Sequence, residues 1–392
     1  MRPGPPLRLC GIAASAAGAV AVASGSLGLA HRALAVVALP PLVALVVAAW
    51  TSYPRLRPWT TLALALFLGA TATWWAGPVH VALAAVALAA ILAATVQLFR
   101  GEPVAAGSLR DYVTLTKPRI MSLLLLTGAG GMFVGAAGVP PLGDLAVMLA
   151  GLALACGGAS ALNHVIDSDI DKLMGKRTRS RPVAAGRVPA ARALEFGLTL
   201  SAFSFVLLGS LANVLTAVLA LVGNLFYVLV YTRWLKRSTP QNIVIGGAAG
   251  AVPPLVGWAA ATGNLTLPAL ALFAIVFFWT PPHFWALALL IRRDYEAAGV
   301  PMLPVVRGEP ETARQIVLYT VALIAVTLVP VALGTLGVPY LVAALALGGA
   351  FLWLALRLRA ELVPHRAAVL FHYSLAYLAL LFVAMALDPL LA

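Results

Sequence analysis

Long apolar runs separated by short polar breaks repeat along the whole chain. Each run has about 20 residues, the length that an α-helix needs to cross a hydrocarbon core about 30 Å thick. No strand-like alternation is visible, and a backbone in lipid must satisfy its polar groups within its own helix. The pattern predicts an all-α integral membrane protein and excludes a barrel. About four spans are expected before residue 100, followed by nine near 119–138, 143–165, 190–208, 212–232, 243–262, 265–290, 316–336, 338–356 and 367–388.

A polar break with the sequence FRGEPVAAGSLRDYVTLT covers residues 99–116. It contains glycine and proline and lies between apolar runs, so it predicts a boundary between two units. We assign residues 1–105 to an N-terminal module of about four helices and residues 106–392 to a nine-helix bundle. The opening MRPGPPLRLC and the apolar run after it also fit a cleaved signal peptide, although a retained helix is preferred.

Composition supports the membrane assignment, since 62% of the residues are hydrophobic and only 10% are charged, against about a quarter charged in soluble domains. The net charge of +13 does not indicate nucleic-acid binding, because the basic residues lie in the breaks between spans. With a cytoplasmic N-terminus, all of them except Arg32 fall inside, as the positive-inside rule expects. Cys10 and Cys156 are far apart without a CxxC spacing, which favours packing roles over a disulfide or a metal site.

The stretch NHVIDSDIDKLMGKRTRSRP, residues 163–182, places a polar stripe at the end of an apolar run. Asn163, Asp167 and Asp171 are four residues apart, so on an α-helix they lie on one face, whereas Asp169 lies on another. Their oxygen atoms suit Mg²⁺, which prefers few protein ligands and takes the rest from water and phosphate. The stripe therefore predicts a site for a magnesium-bound diphosphate.

Basic groups that fit such a site lie on the same loop and on the next loops predicted for the same side of the membrane. A solvated interface with topological charges is the alternative, but ionisable residues at membrane depth are costly and usually functional. A third loop, IRRDYEAAGVPM, adds a further carboxylate. The groups concerned are Lys176, Arg177, Arg179, Arg181, Lys236, Arg237 and Asp294.

Two proline pairs interrupt apolar spans, in NIVIGGAAGAVPPLVGW and FFWTPPHFWALALL. Proline in a helix interior removes a hydrogen bond and clashes with the preceding turn, so both helices are expected to be kinked or broken around a cavity. His283 lies directly after the second pair. The paired glycines of the first stretch allow close helix approach, and packing alone is an equal explanation for them.

These stretches, together with LTKPRIMSLLLLT and DYEAAGVPMLPVV, resemble the UbiA-type intramembrane prenyltransferases from about Leu115 to the C-terminus, and within them the branch that farnesylates haem. The resemblance implies a nine-helix bundle with a cytoplasmic-side cavity. There, farnesyl diphosphate is ionised with Mg²⁺ and its farnesyl group joins a vinyl group of haem b, giving haem O for haem-copper oxidases.

The resemblance also implies roles for particular residues. Asn163, Asp167, Asp171 and Asp294 would be the catalytic metal-site residues, and Arg119, Lys236 and Arg237 would neutralise the diphosphate. Ala298 stands where the superfamily often has a second carboxylate. His283 would either contact haem or pack.

The N-terminal module resembles the haem-ligating half of the haem A synthases through GLAHRALAVVALPPLVALVVAAW and GPVHVALAAVALAAIL. His31 and His80 begin alternate predicted spans at the same membrane depth. They are candidates for the two axial ligands of one haem b, or else ordinary interface residues. A haem-transferring partner of haem A synthase and a vestigial module are both compatible with this pattern.

Three other functions share part of this pattern. A quinone or other aromatic prenyltransferase shares the aspartate stripe but not the haem-branch stretches. A secondary transporter also has broken helices and an ionic site, but at the membrane midplane, whereas these carboxylates lie at a helix end. A structural haem carrier requires the histidines and not the aspartates.

Overall fold

The computed structural model describes residues 107–391 and six isolated earlier positions, Leu42, Val46, Thr60, Ala63, Ala87 and Ile91. The rest of the predicted N-terminal module, including His31 and His80, lies outside the described residues. Its four helices and its haem ligands therefore stay predictions.

Nine helices within 107–391 are long and apolar enough to cross a membrane, and this part of the chain contains no strand. The all-α prediction is confirmed for it, and each predicted span has its helix. The seventh begins at Gly308 rather than near 316, because its charged first turn, GEPETAR, is helical without being apolar. The helices are α1 Pro118–Gly135, α2 Leu142–Ile166, α3 Ala190–Leu211, α4 Val214–Ser238, α5 Asn242–Thr262, α6 Leu267–Leu290, α7 Gly308–Ala332, α8 Val338–Ala360 and α9 Pro364–Leu391.

Charge separates the two ends of this bundle. The connections 136–141, 212–213, 263–266 and 333–337 contain no lysine or arginine. Every lysine and arginine from 107 to 391 lies at the other end, in or next to residues 107–117, 167–189, 239–241, 291–307 and 361–363. We call this the charged end. Such one-sided placement is the pattern of a multi-pass membrane protein.

Glycines allow α1 and α5 to cross closely. A Cβ atom on Gly257 would lie 1.8 Å from the carbonyl oxygen of Gly128, and one on Gly131 would lie 2.3 Å from the carbonyl oxygen of Pro254. Small residues are the usual means of close helix packing in membranes, where burial against lipid adds little. The α1–α5 crossing therefore depends on the absence of side chains at these positions.

Gly257→Ala is expected to destabilise the bundle, because its methyl group cannot fit against the α1 backbone. Overpacking of this kind costs about 1–3 kcal/mol. Thermal unfolding in detergent measures the effect. Gly250→Ala is the control, because Gly250 is in the same helix and a Cβ there would meet no described atom within 4 Å. Equal melting temperatures for the two variants would contradict the proposed crossing.

The proline pairs do not break their helices. α5 continues through Pro253 and Pro254, and α6 continues through Pro281 and Pro282. The sequence predicted a kink or a break at each pair, and neither helix is broken, since neighbouring helices and nearby hydroxyl groups can satisfy the backbone groups that proline leaves free in a membrane bundle.

The α4 helix is irregular near the charged end. Its residues Phe226–Leu235 form a π-helix before three α-helical residues, Lys236–Ser238, complete the span. π-helical turns are wider than α-helical turns and are often found at functional sites. This segment directs Thr232 and Lys236 towards the end of α2.

Candidate active site

The polar stripe predicted from the sequence is present at the charged end. The backbone amide of Asp167 donates to the carbonyl oxygen of Asn163 at 2.9 Å, and that of Asp171 to the carbonyl oxygen of Asp167 at 2.8 Å. The helical pattern thus continues from α2 into the short helix Ser168–Leu173. Asn163, Asp167 and Asp171 are 3%, 1% and 0% exposed, so the stripe is buried within the protein.

Asp167 is the centre of this cluster. Its Oδ2 accepts hydrogen bonds from Lys236 Nζ at 2.5 Å and from Asn163 Nδ2 at 2.8 Å. Arg237 Nη2 lies 4.0 Å from Oδ1, and Thr232 Oγ1 accepts from Asn163 Nδ2 at 3.1 Å. The end of α4 therefore supplies the cations that face the end of α2.

Lys117 supplies a further cation from the segment before α1. Its Nζ donates to Asn163 Oδ1 at 2.7 Å, and burial together with the positive charge of Arg181 lowers the pKa of Lys117 to about 7. The residue has a left-handed backbone, with φ 51°, which costs a non-glycine residue about 1–3 kcal/mol. Two residues earlier, the carbonyl oxygen of Leu115 accepts from Ser160 Oγ of α2 at 2.6 Å, which anchors the segment.

Asp171 pairs with the loop that follows it. Its Oδ1 accepts from Arg181 Nη1 at 2.7 Å. Burial raises the pKa of the Asp171 carboxyl, and the guanidinium of Arg181 only partly opposes this effect. The loop itself is fixed by Arg187, which donates to Asp111 Oδ1 at 2.8 Å and to the carbonyl oxygen of Ser180 at 2.9 Å.

Asp169 lies on a different face, as the helical spacing predicts. Its side chain is 64% exposed and accepts two hydrogen bonds of 2.8 Å from the guanidinium of Arg237. These bonds lower the pKa of Asp169 to about 2. Arg237 also donates to the carbonyl oxygen of Ile166 at 2.7 Å, so Asp169 helps to hold this arginine against the end of α2.

The third loop reaches the same region through Asp294. A Cβ atom on Gly175 would lie 2.5 Å from Asp294 Oδ2, so the absence of a side chain at Gly175 lets this carboxylate approach the 167–189 loop. Asp294 lies in the short helix Arg292–Ala297, directly after α6. The structure thus brings carboxylates from two connections to one region of the charged end.

Not every predicted cation lies in the cluster. Arg119 is exposed in the first turn of α1, and within the described residues no side-chain hydrogen bond or ion pair joins it to the carboxylates. Lys117 does reach the cluster, because the left-handed turn before Pro118 directs its side chain inward. Lys176 and Arg179 are exposed, and the side chain of Arg177 lies outside what the structure describes.

Two carboxylate oxygens in the cluster fit a metal ion. Asp167 Oδ1 and Asp171 Oδ2 are buried and have no hydrogen-bond partner in the described part of the chain, although such groups are nearly always satisfied. Hard oxygen donors of this type suit Mg²⁺. Within 107–391 and the six isolated positions, no three His, Cys, Asp or Glu side chains are close enough to hold one ion. An ion on the two aspartates would therefore take its remaining ligands from other groups, as Mg²⁺ on a diphosphate does from phosphate oxygens and water.

The side chain of Asn163, which the sequence predicts as a metal ligand, is hydrogen-bonded at both ends. Its oxygen faces Lys117 and its amide nitrogen faces Asp167. In this arrangement it orients the two charged groups, and Lys117 would have to move before the amide oxygen could reach a metal.

His283 lies away from the carboxylates, between α6 and α9. It is seven residues before the end of α6 at Leu290, which is about 10 Å below the charged end at the helical rise. Its Nδ1 is 2.7 Å from Ser374 Oγ of α9.

Sequence reasoning missed three residues of this region. Lys117 and Thr232 both contact Asn163. His164 is 2% exposed, and neither of its ring nitrogens has a hydrogen-bond partner among the described residues. The position of Lys117 directly before a proline at the start of a span was the one available signal. Nothing in the local pattern distinguishes Thr232 or His164 from packing residues.

Comparison with known proteins gives concordant results. Two relatives, both named protoheme IX farnesyltransferase, come from Roseiflexus sp. (strain RS-1) and Symbiobacterium thermophilum. The first is 52% identical over 291 residues, which is 74% of this chain and 54% of the relative. The second is 55% identical over 284 residues, which is 71% of this chain and 94% of the relative. The chain thus spans about half the length of the Roseiflexus relative and nearly all of the other.

Solved structures share the fold. A digeranylgeranylglyceryl phosphate synthase matches with a TM-score of 0.61 at 17% identity, covering 72% of this chain and 99% of that one. A UbiA homolog from Archaeoglobus fulgidus, bound to GPP and Mg²⁺, matches with a TM-score of 0.50 at 15% identity, covering 70% and 99%. The model of the UbiA prenyltransferase family matches residues 124–386, and on this match the chain belongs to that family.

Proposed function

We propose that the chain transfers the farnesyl group of farnesyl diphosphate to a vinyl group of haem b, forming haem O and diphosphate. One observation carries the diphosphate part: buried carboxylates with free oxygens are surrounded by Lys117, Arg181, Lys236 and Arg237 at one end of the bundle. The choice of haem as acceptor is supported by relatives more than 50% identical that are named protoheme IX farnesyltransferase.

Each part of the cluster has a role in this proposal. Asp167 and Asp171 would hold Mg²⁺ through their unpartnered oxygens, with Asp294 contributing from the third loop. A bound Mg²⁺ supplies positive charge that stabilises the departing diphosphate. Lys236 and Arg237 already face Asp167, and they would turn towards phosphate oxygens as negative charge grows there. Arg119 and Lys176, which are exposed, would meet the incoming diphosphate, and Arg177 stays a proposed diphosphate-binding residue from the sequence.

The proposed reaction consumes one water molecule in addition to farnesyl diphosphate and haem b. The bond between the allylic carbon and the diphosphate oxygen breaks, and its electron pair leaves with diphosphate. The allylic carbon then bonds to the terminal carbon of the vinyl group. The adjacent carbon, which has lost its share of the double bond, takes a hydroxyl group from water and releases a proton. The apolar helices below the cluster would keep water from the allylic cation until this last step.

The orientation follows from the charges. We propose that the charged end faces the cytoplasm, because lysine and arginine concentrate there. This orientation gives the N-terminus a cytoplasmic position if the N-terminal module has four spans. That module, with His31 and His80, would bind haem b and transfer it to the bundle or to a haem A synthase partner.

The test is an assay of the purified chain with haem b, farnesyl diphosphate and Mg²⁺, with the products identified by mass. We expect an adduct of haem with farnesyl and water that disappears with a chelator and returns when Mg²⁺ is added. Prenylation of a quinone precursor instead of haem would assign the chain to an aromatic prenyltransferase. An adduct that persists in the chelator would exclude the proposed metal.

A further inference from the structure

His283 is held rigidly where α6 meets α9. Its ring stacks on Trp279 at 4.4 Å between centroids with an angle of 14°, and on Phe371 at 4.9 Å with an angle of 23°. Trp279 is fixed in turn, since its Nε1 donates to the carbonyl oxygen of Ser374 at 2.8 Å. The imidazole therefore has one defined orientation.

The neighbouring hydroxyl determines which ring nitrogen carries the proton. Ser374 Oγ donates its single hydrogen to the carbonyl oxygen of Phe371 at 2.6 Å. Towards His283 Nδ1, at 2.7 Å, the hydroxyl can then only accept. This geometry assigns the proton of the neutral ring to Nδ1 and the lone pair to Nε2.

The lone pair on Nε2 is available to a ligand. Nε2 has no hydrogen-bond partner within the described residues. It is also not one of the fully buried, unpartnered nitrogen and oxygen atoms among them, so it is not sealed off from a ligand. A histidine that ligates a metal through one nitrogen usually donates a hydrogen bond from the other, which fixes the tautomer and the ring orientation. His283 and Ser374 have this arrangement.

The kind of metal that His283 could ligate follows from how many ligands the described residues supply. No group of three His, Cys, Asp or Glu side chains that could hold an ion occurs in the described part of the chain, so His283 does not belong to a multi-ligand protein site there. A single imidazole is sufficient for an iron whose other ligands come from a porphyrin, as proximal histidines show. An iron porphyrin also matches the acceptor in the proposed function.

We infer that His283 Nε2 is an axial ligand of the iron of the haem acceptor and that Ser374 is the residue that positions this ligand. The inference rests on the proposed function only in taking haem as the acceptor. Because His283 lies about 10 Å below the charged end, coordination would hold the macrocycle within the bundle at that depth below the charged end.

The test is titration of the full-length chain with ferric protohaem in detergent, followed by absorption and electron paramagnetic resonance. All variants carry His31→Ala and His80→Ala, so that the N-terminal histidines do not contribute.

His283→Ala is expected to lose the histidine-ligated spectrum and to bind haem at least about tenfold more weakly. Added imidazole should restore the spectrum of His283→Gly. Ser374→Ala should keep a histidine-ligated spectrum but bind haem at least about tenfold more weakly, because loss of a hydrogen-bond partner of a ligating histidine usually weakens metal binding by that much.

His372→Ala is the matched control. His372 is exposed on α9, beside Phe371, and its Nδ1 is 2.8 Å from the carbonyl oxygen of Ala368. Its variant should keep the affinity and the spectrum. An unchanged spectrum in His283→Ala would overturn the inference, even if the chain farnesylates haem. Failure of the chain to farnesylate haem, with histidine ligation intact, would instead count against the proposed function alone.

Discussion

Asp167→Asn and Asp171→Asn are each expected to reduce farnesyl transfer by at least about 100-fold, the usual scale for loss of one electrostatic contact to a transition state. Each substitution removes the negative charge of a buried carboxylate. One oxygen of each carboxylate has no hydrogen-bond partner among the described residues and could bind a metal. In Asp167→Asn, Lys236 also loses its counterion at 2.5 Å. Initial rates at saturating farnesyl diphosphate and increasing Mg²⁺ measure the effect.

Asp144→Asn is the control for this prediction. Asp144 is an exposed carboxylate in the first turn of α2, at the opposite end of the bundle. Its variant should therefore retain the wild-type rate. Melting temperatures in detergent separate loss of chemistry from loss of folding. Rates near wild type for folded Asp167→Asn and Asp171→Asn proteins would refute the metal stripe.

Lys117→Met is expected to weaken farnesyl diphosphate binding by about 10- to 100-fold, while Arg119→Met changes it by less than about threefold. Hydrogen bonds to charged groups are worth about 1.5–3 kcal/mol, and Lys117 Nζ lies within the cluster at 2.7 Å from Asn163. Arg119 is exposed. The Kd for a non-hydrolysable farnesyl diphosphate analogue, measured with Mg²⁺ present, compares the two variants.

The comparison distinguishes two arrangements of cations. A larger effect of Arg119→Met would restore the role implied by family resemblance and would require the first turn of α1 to rotate when substrate binds. Equal and small effects would mean that Lys236 and Arg237 are sufficient for the diphosphate. The expected order, with Lys117 dominant, would show that the left-handed turn at φ 51° directs a functional side chain.

The bundle was largely readable from the sequence because its causes are local. Apolar runs of about 20 residues specify spans, and each predicted span from 106 onwards corresponds to a helix. The polar stripe was readable for the same reason, since a spacing of four residues fixes one helical face. The proline pairs left open whether each helix is kinked or broken, because that outcome depends on neighbours that satisfy the freed backbone groups.

The sequence by itself determined the helices, the separation of charge between the two ends, and the shared face of Asn163, Asp167 and Asp171, all of which follow from hydropathy and helical period. Only the tertiary structure decided which partners reach that face. Lys117 and Lys236 are 46 and 69 residues from their partners Asn163 and Asp167, and Ser374 is 91 residues from His283. Such contacts depend on how a left-handed turn, a π-helical segment and glycine crossings orient whole helices, and no local pattern encodes those orientations.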